Sequence, residues 1–183
     1  MKSKKILSIL ISIIVGISIF AATSYAANPT NTKANQEDGE ILAFLMTVDK
    51  NEIAIAKLAL SKKTTPAIKK YAQMLKQQHT KNLNKALKVS KKTGIAPVSS
   101  AAVIALQKDG VKGLATLSPL QGKDFDKAFI DAMVAGHTDV LKVIDNDLLK
   151  NASNPAVKKL VVATRPHIAF HLQQGQMIQK QLG

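Results

Sequence analysis

The sequence predicts an all-α fold: a four-helix bundle built from two antiparallel hairpins joined by a long crossover. Three observations carry that prediction. Apolar residues recur at 3- and 4-residue spacing through four long stretches. Two of these stretches open on a capping residue followed by proline, Thr65-Pro66 and Asn154-Pro155. The connection between the hairpins, residues 95–121, is far longer than a helix–helix turn needs.

The chain starts with Lys2, Lys4 and Lys5, continues through an apolar run from Ile6 to Ala22, and reaches Ser24-Tyr25-Ala26. A basic start, an apolar middle and a small-x-Ala end form a secretory signal pattern, so residues 1–26 are expected to be cleaved. An uncleaved anchor is the rival reading, because the run is just long enough to span a bilayer. No second run of that length follows, so no transmembrane segment is expected in the mature chain. Location in the periplasm or on the extracellular envelope follows. Residues 27–37 are polar, contain Pro29 and are expected to be a disordered tail.

From 38 to 183 the helices follow in order. The first is expected from about Asp38 to Lys63, with Leu45, Val48, Glu52, Ile55 and Ala59 on its inner stripe. The second, Thr65 to Thr93, buries Ile68, Ala72, Leu75, His79, Leu83 and Ala86, and Gly94 stops it. The third, Lys123 to Asn151, buries Phe125, Phe129, Met133, His137, Val140, Ile144 and Leu148. The fourth, Asn154 to Leu182, buries Val157, Val161, Thr164, His167 or Ile168, His171, Gly175 and Ile178. Pro166 lies inside it and deletes one backbone hydrogen bond, which predicts a kink. Within the crossover, Ser99 to Leu106 reads as a short helix broken by Gly110 and Gly113. A helix of about 28 residues is roughly 42 Å long, a span this crossover can travel, as it does in ferritin-like bundles. Pro66-Ala67-Ile68-Lys69-Lys70 parallels Pro155-Ala156-Val157-Lys158-Lys159, which hints at an internal duplication.

The chain has no cysteine, which excludes disulfides and thiolate metal ligands. Its net charge is +14; without Lys2, Lys4 and Lys5 it has 23 basic and 12 acidic residues, a net +11. That charge favours anionic envelope surfaces such as lipid head groups and cell-wall polymers. Nucleic acid is disfavoured, because Arg165 is the sole arginine and aromatic residues make up 4% of the chain.

The four histidines, His79, His137, His167 and His171, all fall on or beside inner stripes, as does Glu52. Counted from the turns, they lie at similar depth, so antiparallel hairpins place them in one mid-bundle layer. Two readings of that layer stay open. Imidazole and carboxylate ligands on four inward faces suit one divalent transition metal: zinc, copper, nickel or ferrous iron. A buried hydrogen-bond network that fixes helix register is the alternative. If metal binds, protonation of the histidines near pH 6 is expected to release it. A di-iron carboxylate site is excluded by the glutamates, which are only Glu37, Glu40 and Glu52, and by the lack of any Glu-x-x-His motif. No Gly-rich phosphate loop appears, and the reading favours binding over turnover.

Several stretches resemble the exported ferritin-like family grouped as domain of unknown function 4142. They are Glu52 to Ala59, Met74 to His79, Gly122-Lys123-Asp124-Phe125-Asp126-Lys127-Ala128-Phe129, Met133 to His137, and Pro166 to Leu172. The resemblance covers about residues 40–182 and implies a ferritin-like bundle in the envelope. It implies site positions at Glu52, His79, His137 and His171; His167 is outside that pattern. The family usually has an acid just before the second- and third-helix histidines, where this chain has Gln78 and Gly136. The resemblance implies no settled activity.

Overall fold

The computed structural model describes residues 29–182; the expected signal segment lies outside them. Every regular element among the described residues is helical: α1 (Pro29–Ser61), α2 (Pro66–Thr93), α3 (Ala101–Leu117), α4 (Gly122–Val143) and α5 (Pro155–Leu182). Between α4 and α5 the chain stays helical through a π turn, Ile144–Leu148, and a last α turn, Leu149–Asn151.

Two elements differ from the sequence expectation. α1 begins at Pro29 rather than near Asp38, so residues 29–37 form helical turns where a disordered tail was expected. Proline suits a first helical position, and two side-chain pairs one turn apart support the turns that follow. Lys33 lies 3.9 Å from Glu37, and Gln36 donates to Glu40 at 3.1 Å. The crossover helix is also longer than expected. It is capped by Ser100, whose hydroxyl accepts from the Val103 amide, and it runs through both Gly110 and Gly113 to Leu117. Gly110 is tolerated because α3 presses against α1 there: a Cβ at Gly110 would collide with the Asn51 side chain. The Asn51 amide donates to the Leu106 carbonyl at 2.8 Å, which docks the crossover onto α1.

The other boundaries follow the local chemistry. α2 ends at Gly94, whose φ of 72° is the left-handed cap conformation. The Asn154 side chain accepts from the Ala156 amide at 2.9 Å and caps α5. At the start of α2 the expected Thr65 hydroxyl makes no cap bond; instead buried Asp126 accepts the Thr65 amide at 2.9 Å. Asp38, buried inside α1, accepts from the Ser153 amide, the Ser153 hydroxyl and the Asn154 amide at 3.1, 2.6 and 2.8 Å. It thereby ties the first helix to the turn before the last one.

α1 packs on α2, α4 on α5, and α2 on α5, while α3 lies along α1. The interior has two apolar clusters. One gathers Leu42, Leu45, Ala86, Ile144, Val157 and Val161; the other gathers Ile55, Ile68, Leu75, Phe125, Phe129 and Met133. In sequence, α1, α2, α4 and α5 each pass from one cluster to the other by way of buried or half-buried polar residues: Asp49 and Glu52, His79 and Asn82, His137, and Thr164 and His171. Burying about 25 cal/mol per Å² of apolar surface at both ends stabilises the bundle enough to carry a polar layer between them. No helix of the described residues is long and apolar enough to cross a membrane.

Candidate metal centre

His79 comes from α2, His137 from α4 and His171 from α5, and each is at most 2% exposed. One nitrogen from each ring lies within 4.8 Å of the other two. The ring centroids are 5.8 Å (His79–His137), 5.0 Å (His79–His171) and 5.3 Å (His137–His171) apart.

The second nitrogen of each ring is held from outside. His79 Nδ1 lies 2.8 Å from the Asp49 carboxylate. His137 Nδ1 lies 2.8 Å from the Met133 carbonyl one helical turn back. His171 Nε2 lies 2.9 Å from Gln78 Oε1. A carboxylate and a carbonyl only accept, so a neutral ring at each position carries its proton on the outer nitrogen. The lone pairs then sit on His79 Nε2, His137 Nε2 and His171 Nδ1. Those three atoms are buried without a hydrogen-bond partner, and so is Glu52 Oε2.

A further ring of contacts supports the imidazoles. Asn82 donates to Asp49 at 3.0 Å and accepts from the Thr164 hydroxyl at 2.9 Å. The Tyr71 hydroxyl donates to the His171 carbonyl at 2.9 Å, fixing α5 against α2 at the level of the site. Outer partners of this kind orient metal-binding histidines and raise their basicity.

The electrostatics keep His137 and His171 neutral. Burial pushes the His137 imidazolium below the usual histidine range, and nearby His79 adds to this; Glu52 and the Met133 carbonyl oppose it. Burial first, then the charges of His79, His137 and His167, push His171 down to about 2. Burial raises the Asp49 carboxyl against the hydrogen bond and charge of His79 and the hydrogen bond of Asn82. Burial, with a smaller contribution from Glu52, raises the Tyr71 hydroxyl.

Of the five residues the sequence singles out, the structure brings His79, His137 and His171 into one tight group. Glu52 is half-buried and acts on Asp49, Tyr71 and His137 as a neighbouring charge, but lies outside that group. His167 is exposed and does not join them. The inner position it contested belongs to Ile168, which is 2% exposed; the buried series runs Thr164, Ile168, His171, Gly175. Sequence reasoning missed Asp49, Asn82 and Tyr71, and named Gln78 only as the residue standing where the family usually has an acid. For two of them a signal existed: Asp49 stands three residues before Glu52, and Asn82 three after His79, each on the same helix face.

The family described as Domain of unknown function (DUF4142) matches residues 23–178, most of the chain, and the protein belongs to that family. Neither curated proteins nor solved structures gave a match.

Proposed function

We propose that this protein is an exported ferritin-like bundle that holds one divalent transition metal between His79, His137 and His171, with Glu52 as a fourth ligand or a charge-balancing neighbour. Its role is metal buffering or protection of the envelope against metal stress, without turnover. Zinc, copper or iron(II) suits three imidazoles and a carboxylate.

The observation that carries the reading is the set of four unpartnered acceptors, His79 Nε2, His137 Nε2, His171 Nδ1 and Glu52 Oε2, all buried at mid-bundle. A closed hydrogen-bond network would pair them with one another, but acceptors cannot pair with acceptors. A single water has two O–H donors and satisfies at most two of the four. A divalent cation takes the lone pairs of the three grouped imidazoles at once and offsets a desolvation cost of about 1–3 kcal/mol for each, with Glu52 beside them as a negative charge. Envelope location is part of the proposal and rests on the N-terminal signal pattern.

A second reading has its own support. α2 carries eight lysines and no carboxylate, and every one of those lysines is exposed. On that reading the protein is a non-catalytic envelope component whose α2 face associates with anionic polymers, and the polar layer only sets register.

The test is total metal analysis of the exported protein purified without a histidine tag and challenged with zinc, copper, iron and manganese. The metal reading expects about one ion per chain, lost in His79→Ala/His137→Ala. Absence of stoichiometric metal under every condition would leave the anionic-polymer reading.

A further inference from the structure

A cleft of ≈ 430 Å³ opens between α2 and α5 directly over the histidines. Its floor includes the edges of His79 and His171, together with Ile168; its rim carries Lys81, Lys85 and His167. A cleft of this size accommodates a small organic molecule. Its charge has one sign: the two lysines are exposed cations, and no aspartate or glutamate is among the lining residues. Asp49, which contacts the lining residues His79 and Asn82, is itself buried and already occupied by them.

That sign is the reverse of what a bare divalent cation needs. A lysine rim of this kind repels an aquated metal ion and concentrates anions. His79 and His171, two of the three ligand side chains, nevertheless line this cleft, each only 1% exposed. A metal ion approaching as part of a net anionic chelate removes the conflict.

We propose that the α2–α5 cleft is the loading port of the metal centre, and that it accepts the ion as an anionic complex with a small oligocarboxylate. This inference rests on the metal reading above. In the exchange, each bond from the ion to a carboxylate oxygen breaks as a bond to a histidine nitrogen forms. The carboxylate leaves with its own charge. No oxidation state changes. The receiving nitrogens carry no proton to expel, since the ring protons point outward to Asp49, the Met133 carbonyl and Gln78. Lys81 and Lys85 bind and orient the carboxylate.

The experiment compares zinc uptake from zinc citrate with uptake of aquated zinc, by stopped flow with a chromophoric zinc indicator, in the wild type and in Lys81→Glu/Lys85→Glu. Zinc stoichiometry and affinity are measured separately at equilibrium by chelator competition. The charge reversal is expected to slow uptake from citrate by about 10-fold or more while leaving uptake of aquated zinc as fast or faster. The equilibrium values should not change. Wild-type uptake from citrate should also fall as salt rises from ~20 to ~300 mM, an arm that needs no variant. A variant that takes zinc from citrate at the wild-type rate overturns the port, as does equal slowing from both sources or a salt-independent wild-type rate. Absence of zinc binding by the wild type at equilibrium overturns the metal reading itself, and the port with it.

Discussion

Asp49 and His79 form a buried pair, with the carboxylate 2.8 Å from Nδ1 and both side chains at most 2% exposed. The contact occupies Nδ1 and leaves Nε2 buried without a hydrogen-bond partner. Because the outer partner of a metal-binding histidine sets both its tautomer and its basicity, Asp49→Ala is expected to weaken zinc affinity about 10- to 100-fold. Asp49→Asn keeps an accepting oxygen and should lose less. Competition against a chelator of known affinity measures both.

Acid should destabilise the metal-free fold. His137 and His171 stay neutral in the folded protein well below the ordinary histidine pKa, whereas the unfolded chain takes up their protons near pH 6.5. The unfolded state therefore binds more protons, and stability falls as pH drops below about 6.5, by roughly 1.4 kcal/mol per unit for each such histidine. Asp49, with its raised pKa, acts in the opposite sense but only near and above its ordinary value of 3.8. Denaturant titrations of the metal-free protein at pH 7.5 and 5.5 should show the loss, and His137→Gln/His171→Gln should flatten it. The same shifts move metal release to more acid conditions than the pH 6 expected from ordinary histidines.

His167 is a control. It is exposed and outside the tight group, so His167→Ala should leave equilibrium zinc stoichiometry and affinity as in the wild type. A loss comparable to that of His171→Ala, read by the same competition assay, would show that the ligand set is misassigned.

Asp38 is predicted to matter for stability alone. It accepts three hydrogen bonds from Ser153 and Asn154 while buried in α1. Asp38→Ala strands those donors and should cost about 1–3 kcal/mol in denaturant unfolding without changing zinc affinity.

The sequence made the helices and the three core histidines legible because both depend on periodicity. Apolar residues at helical spacing fix which face turns inward, and His79, His137 and His171 lie on that face. His167 was ambiguous because Ile168 is its neighbour, and one residue of rotation, about 100° on a helix, separates core from solvent. What stayed hidden depended on tertiary contact. Gly110 reads as a breaker until the close passage of Asn51 explains it. Tyr71 looks like an ordinary core residue, and Gln78 only like a replaced acid, until α5 brings His171 beside them. Asp38 reads as the start of a helix, and only the fold places the turn before α5 against it.

X-ray absorption at the zinc edge of the loaded protein, with His171→Ala alongside, reads the ligand set itself. The account predicts three imidazole nitrogens about 2.0–2.1 Å from zinc in the wild type, with an oxygen completing the set, and one imidazole fewer in the variant. Fewer than three imidazoles in the wild type, or an unchanged spectrum in His171→Ala, would contradict it.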